Sequence, residues 1–298
     1  MISMTITRTS FRGVVFAIAL QLLACSTQAA TLPFTTGLKL WLDATTGVTT
    51  SGSTVTGWAD QSGNSHDGSH TSGSPQLVGG AINGLPAINF DGAADYFALA
   101  GGAVLASDSF TIFAIATDTG PSAGYRNIYS NWDAGNSWSS VFLGTADGTS
   151  PARSGRVTDG LYATDVITDP TTPFISWGVY QGGVNAELFL DGASVGSEAQ
   201  NDQPADDTNP NGKRDVSTLS YIGQQGSFPG EYWQGLIGEV LVYEGALTPA
   251  EQAEVYGYLY AKWVVVPEPS SLLLAIASGL GLLVATGHRR RAGRRRSS

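Results

Sequence analysis

Cysteine is almost missing from this sequence. The one cysteine, Cys25, falls in the N-terminal apolar leader, so residues 31–266 carry none. Disulfides, a thiolate nucleophile and cysteine-ligated metal sites are therefore excluded from that stretch. Secreted domains lean on disulfides when they are too small to bury a core. A chain of this length has no such need, because larger domains bury a greater share of their surface. Positive charge is just as scarce. Residues 31–266 hold seven Lys or Arg against 24 Asp or Glu, a formal charge of −17. Phosphate contacts need clustered cations, so nucleic acid is not an expected partner. An acidic surface suits solubility outside the cell and attracts divalent cations.

Glycine, by contrast, supplies 38 residues. Short runs of Val, Ile, Leu, Phe and Thr alternate with clusters of Gly, Ser, Asn and Asp, which predicts an all-β sandwich or barrel with many turns. The expected strands are Leu38–Leu42, Ala87–Phe90, Phe110–Thr117, Ser140–Leu143, Phe174–Tyr180, Glu187–Leu190, Leu219–Ile222 and Ile237–Tyr243. In Leu38-Lys39-Leu40-Trp41-Leu42 the alternation predicts three leucines on one face. Asp191-Gly192 between two apolar runs predicts a tight hairpin. One helix is signalled. Thr248-Pro249-Ala250-Glu251 offers an N-cap, a proline at the first helical position and a reciprocal glutamate. Leu247 can staple across that start, and Val255, Leu259, Tyr256 and Trp263 supply the apolar stripe.

Both ends read as targeting segments. Arg8 and Arg12 precede the apolar run Gly13–Ala24, and small residues offer a peptidase cut after Ala29 or Ala30, as in a signal peptide. Within it, Leu22-Leu23-Ala24-Cys25 leaves lipidation at Cys25 as a second reading. At the other end, Pro267-Glu268-Pro269 is followed by an uncharged apolar run, Leu272–Thr286, and by six arginines in the last ten residues. A membrane-inserting helix is expected there, with the arginines kept on the cytoplasmic side and the domain outside.

These three ordered parts resemble the PEP-CTERM sorting signal, with Pro267, Glu268 and Pro269 as the motif. The resemblance implies export in a Gram-negative bacterium, processing by signal peptidase and an exosortase, and association with extracellular polysaccharide, biofilm or the cell surface. The stretch between the signals, residues 31–265, resembles a laminin-G-like, concanavalin-A-like domain. The motifs that carry this are Gly37–Ala44, Trp58–Asn64, Asn83–Gly92, Leu188–Gly192 and Gly235–Tyr243 with the Leu247-Thr248-Pro249 helix start. The resemblance implies an all-β, two-sheet antiparallel jelly-roll sandwich with a short C-terminal helix.

Chemistry is harder to find. The glucanases of this fold carry Glu-x-Asp-x-x-Glu on one strand to flank a scissile bond, and that string is absent. Glu239 and Glu244 would face opposite sides of a strand, and Glu187 and Asp191 share a face only if the turn is ignored. All four are expected to be solvated. His66 and His70 have helical zinc spacing, but the surrounding glycines predict a loop. No serine-nucleophile elbow is expected, and the domain is not expected to be an enzyme. Asp207-Thr208-Asn209-Pro210-Asn211-Gly212 matches the front of a calcium loop. Its twelfth position is Thr218 instead of a bidentate glutamate, which leaves an acidic loop able to lend Asp207, Asn209, Asn211 and Asp215 to a looser calcium site. Tyr125, Trp132 and Trp138 cluster with Asn127 and Asn131, and Trp233 sits with Tyr232. These aromatic residues are the candidates for stacking on a sugar ring, whereas Trp41, Trp58 and Trp177 are expected in the core. The expected function is an exported surface or matrix protein that binds carbohydrate or adheres. A structural or protein-contacting module is the alternative, and a glycoside hydrolase is a distant third.

Overall fold

The computed structural model describes residues 31–265 except 108, 133–140, 158–160, 183, 200–218 and 227–229. Its strands are β1 (Leu38–Asp43), β2 (Val48–Ser51), β3 (Thr54–Trp58), β4 (Gly68–Ser72), β5 (Gln76–Ile82), β6 (Leu85–Asp91), β7 (Tyr96–Leu99) and β8 (Phe110–Ala116). They continue as β9 (Arg126–Ser130), β10 (Phe142–Ala146), β11 (Arg153–Val157), β12 (Leu161–Ile167), β13 (Phe174–Gln181), β14 (Asn185–Leu190), β15 (Ala193–Ala199), β16 (Tyr221–Ile222) and β17 (Gln234–Glu244). One helix, α1 (Pro249–Trp263), follows. Every strand pair is antiparallel. One layer runs β5–β6–β17–β8–β13–β14–β15, with β1 beside the second half of β17. The other runs β2–β3–β4–β7–β16–β9–β10–β11–β12. Among the described residues no helix is long and apolar enough to cross a membrane, and the leader, Cys25 and the Pro267-Glu268-Pro269 tail lie outside them.

Two apolar cores result. Leu40, Trp58, Phe97, Phe110, Ile112, Ile128, Leu143, Val157, Trp233 and Val240 fill the space between the layers. Phe113, Ile115, Trp177, Leu241, Tyr243, Val255, Leu259 and Trp263 form a second core, between the β17 layer and α1. Residues of β8 and β17 alternate between the two cores, so these central strands are buried on both faces and read as largely apolar runs, broken by Thr111 in β8 and by Gly238 and Glu239 within β17.

Bulges decide which residues reach which core. The β1 ladder slips between Leu38 and Leu40, so Leu38 joins the helix-side core while Leu40 and Leu42 face the other layer. The three leucines therefore do not share a face, as strict alternation predicted; one extra residue reverses the side on which a strand's residues emerge. In β17 a second slip at Gly238 turns Ile237 inward and leaves Glu239 on the helix side. Only glycine fits there, since a Cβ would lie 2.9 Å from the Trp263 ring.

The predicted hairpin and helix start are as expected. Asp191 and Gly192 adopt φ of 46° and 92° between β14 and β15, the left-handed pair that a two-residue turn requires. Thr248 caps Glu251 N–H while the Glu251 carboxylate accepts the Thr248 N–H at 2.8 Å, a reciprocal capping box. The buried face of α1 is Gln252, Val255, Tyr258, Leu259 and Trp263; Tyr256, assigned to that stripe by spacing, is only half-buried.

Candidate glycan-binding face

Among the described residues, most of the cations are spent inside the fold. Arg126 forks onto Asp118 at 2.8 and 2.9 Å, with Thr145 donating to the same carboxylate at 2.7 Å, and Arg153 stands 3.7 Å away. Burial lowers the Arg153 pKa, and Asp118 opposes that effect. Lys262 reaches Asp43 at 2.6 Å and Glu239 at 2.8 Å. Glu239 is fully buried and also accepts both indole N–H groups of Trp41 and Trp263 at 2.6 Å and the Tyr258 hydroxyl at 2.9 Å. Burial raises the Glu239 pKa, and Lys262 pulls it back down. The expectation that Glu239 is solvated is thus overturned. The bulge at Gly238 places it beneath α1, where four donors replace water.

One arginine is held differently. On the outer face of the second layer, Arg156 on β11 lies opposite Gly144 on β10, which lies opposite Asn127 on β9. Glycine at the middle position leaves room between the two polar side chains. The Arg156 guanidinium sits 4.0 Å from the Phe142 ring centroid and 4.8 Å from that of Tyr125, a cation held against two aromatic rings. Arg156 donates to Glu231 Oε2 at 2.6 Å, and Asn127 Nδ2 donates to the same oxygen at 2.7 Å. Glu231 has a φ of 46°, a left-handed conformation that costs a non-glycine residue about 1–2 kcal/mol. That strain is offset where its carboxylate meets Arg156 and Asn127 together. Asn127 is fully buried, and its Oδ1 has no hydrogen-bond partner among the described residues.

Along the same face, Tyr221 on β16 lies opposite both Ala98 on β7 and Ser130 on β9, and Ser130 lies opposite Phe142. Tyr96 is 6.2 Å from Tyr221 and 6.5 Å from Tyr232, so three half-buried tyrosines adjoin the polar cluster. Aromatic surface with a few convergent polar groups is the composition of a sugar-binding site.

Of the residues named from sequence, Tyr125 belongs to this face and is 40% exposed. Trp132 is half-buried just beyond β9, with the Gly226 turn seated on its backbone. Trp233 is fully buried in the inter-layer core and presents no ring to the surface. Trp58 and Trp177 are buried as expected, and Trp41 is half-buried with its indole on Glu239. Trp138 and the calcium candidates Asp207, Asn209, Asn211 and Asp215 lie outside the described residues. Among the described residues no cluster of three or more His, Cys, Asp or Glu could hold a metal. His66 is buried in a loop and its Nδ1 donates to Ala100 O at 2.8 Å; His70 lies on β4. Spacing alone did not point to Arg156, Glu231 or Phe142, yet one signal was present: cations are few, and those among the described residues each face a carboxylate.

Of the other two carboxylates, Asp191 is exposed as a turn residue, as expected, with its carboxyl turned back onto β13, and Glu187 is half-buried. Asp191 accepts the Ile175 N–H at 2.8 Å, and burial raises its pKa. Glu187 accepts the Ser194 hydroxyl at 2.6 Å. Gly192-Ala193-Ser194-Val195-Gly196 does spell Gly-x-Ser-x-Gly, against the expectation of no elbow. Ser194 nevertheless stands in a hairpin strand and not on a strand-to-helix turn, so the spelling does not form a nucleophile elbow.

No protein-family model and no curated protein matches the sequence. Solved structures do match in fold. Domain 4 of AbnA, a GH43 extracellular arabinanase from Geobacillus stearothermophilus solved with arabinotriose, is 14% identical, with a TM-score of 0.50 over 74% of this chain and 98% of that one. A GH54 α-L-arabinofuranosidase is 16% identical, with a TM-score of 0.53 over 72% of this chain and 52% of that one. Trypanosoma rangeli sialidase, solved with sialic acid, is 14% identical, with a TM-score of 0.52 over 76% of this chain and 33% of that one. This chain thus spans nearly all of the arabinanase domain, but about half of the second protein and a third of the third. At such identities the similarity is one of fold.

Proposed function

We propose that this is an exported surface or matrix protein whose laminin-G-like, concanavalin-A-like jelly roll binds carbohydrate through the outer face of the β9–β10–β11 layer. The observation that carries this is the orphaned Oδ1 of buried Asn127, beside an Arg156–Glu231 pair braced by Tyr125 and Phe142. A buried amide oxygen without a partner costs about 1–3 kcal/mol, a cost that a ligand hydroxyl would relieve. The fold shared with a domain solved with arabinotriose supports the same function. Binding without bond cleavage fits the two fully buried carboxylates, Asp118 and Glu239, which are closed off by cations and N–H donors.

Delivery would be by signal peptidase at the N-terminus and by an exosortase acting near Pro267-Glu268-Pro269, with extracellular polysaccharide as the partner. The test of binding is a polysaccharide pull-down and glycan array with the wild type, Asn127→Ala and Tyr125→Ala, with and without calcium. Retention that both substitutions weaken supports the proposal. Retention that neither changes, or none at all, refutes it. Mass spectrometry of the mature chain tests the sorting step: a C-terminus near Pro269 supports it, and an intact arginine cluster opposes it.

A further inference from the structure

A second aromatic site lies on the opposite side of the sandwich, where the β14–β15 hairpin meets α1. Phe113 on β8, Trp177 on β13 and Phe189 on β14 are direct cross-strand neighbours. Their rings form a ladder: Phe113 and Trp177 are 5.4 Å apart and 19° from parallel, and Trp177 and Phe189 are 4.6 Å apart and 1° from parallel. Trp177 is covered on both faces and fixed by its indole N–H donating to Gln252 Oε1 at 3.0 Å. Phe189 ends the ladder. The next residue across is Ser194, too short to cover a phenyl ring, and Phe189 is only half-buried.

A cavity of about 320 Å³ opens at this end, roofed by Tyr256 of α1, whose ring is 5.3 Å from that of Trp177. Its polar side-chain groups are the Glu187 carboxylate, the Tyr256 hydroxyl and the Gln252 amide, which takes the Trp177 indole N–H and gives its own N–H to Leu247 O at 2.7 Å. Glu187 takes the Ser194 hydroxyl on Oε1, and among the described residues no Lys or Arg lines the cavity.

We infer that this cavity is a second saccharide site, taking one or two rings of an uncharged sugar on Phe189 and Glu187. Three features select that ligand. A flat ring with one uncovered face suits the C–H face of a pyranose or furanose. A carboxylate accepts paired hydroxyls, and without a cation beside it the same carboxylate repels sulfated, sialylated or uronic sugars. The volume falls at the small end of ligand pockets. The cavity stands on its own residues; only its consequence rests on the proposed function. With a site on each outer face, a single chain would bridge two polysaccharide strands.

The test is calorimetric titration of the purified protein with neutral arabino-, xylo- and gluco-oligosaccharides. The variants are Phe189→Ala and, because truncating a half-buried ring can cost stability, the milder Glu187→Gln. The expected result is two sites per chain, one of which each variant weakens about tenfold, the equivalent of one stacked ring. One site that both variants abolish upholds this inference and overturns the siting on the β9–β11 face. One site that neither variant alters does the reverse. No heat with any neutral sugar overturns this inference, as does a wild-type dimer that Phe189→Ala dissociates, since a second copy would then occupy the cavity.

Discussion

On the helix side of the sandwich, Glu239 accepts four donors, one of them from Lys262, beneath Trp263. On the far side, Arg156 and Asn127 share Glu231, and the Asn127 Oδ1 goes without a partner among the described residues. Both clusters are buried and both include an ion pair, so burial alone does not separate structure from function. Satisfaction does. The complete network ties α1 to β1 and β17, while the incomplete one is left with an acceptor to give. A buried ionic network is best read by which of its atoms remain without partners.

If the helix-side network is structural, Lys262→Met should be the most damaging change. It strands the Asp43 and Glu239 carboxylates under α1 and should cost about 3–5 kcal/mol, seen as a lower urea midpoint with glycan binding per folded molecule unchanged. A loss below 1 kcal/mol would break the comparison. Asn127→Ala should do the opposite. It removes the orphaned oxygen together with one hydrogen bond to Glu231, so stability should move by about 1 kcal/mol or less while glycan affinity falls about tenfold or more.

Thr248→Ala isolates the helix from the network. The capping box it removes should cost about 1 kcal/mol in the same urea titration, well short of Lys262→Met. The smallest effect concerns Asp191. Burial lifts its pKa above the ordinary 3.8, so the folded state holds the proton more tightly than the unfolded chain. Its contribution to stability is then fully present below about 3.8 and is lost as pH rises through the folded value. Asp191→Asn keeps the turn and the acceptor for Ile175. It should raise the melting temperature slightly at neutral pH and have no advantage below pH 3.8.

The layers and the closing helix were legible because their signals are local. Phe110–Ala116 is apolar at every position but Thr111, Asp191-Gly192 is a two-residue turn, and Thr248-Pro249-Ala250-Glu251 is a complete helix start. Strands such as Gly68–Ser72 and Arg153–Val157 were not legible, being short, polar and dependent on their neighbours for pairing. Single-residue bulges at Lys39 and Gly238 are invisible to a period-two pattern, and they moved Leu38 and Glu239 to the helix side. The candidate site was half legible. Tyr125 and Asn127 are close in sequence, but Arg156 and Glu231 reach them from 75 residues apart and only through the fold. Trp233 was misassigned because an aromatic beside Gly and Tyr reads the same whether its ring points in or out.

The central claim is that the β9–β11 face binds carbohydrate through Asn127, Arg156 and Tyr125. Its most direct test is an NMR titration of the isotope-labelled domain with arabino-oligosaccharides, following the side-chain amide of Asn127 and the guanidinium of Arg156. Saturable shifts of these two signals, lost in Tyr125→Ala, are predicted. Shifts confined to other residues, or none at millimolar sugar, would contradict the claim.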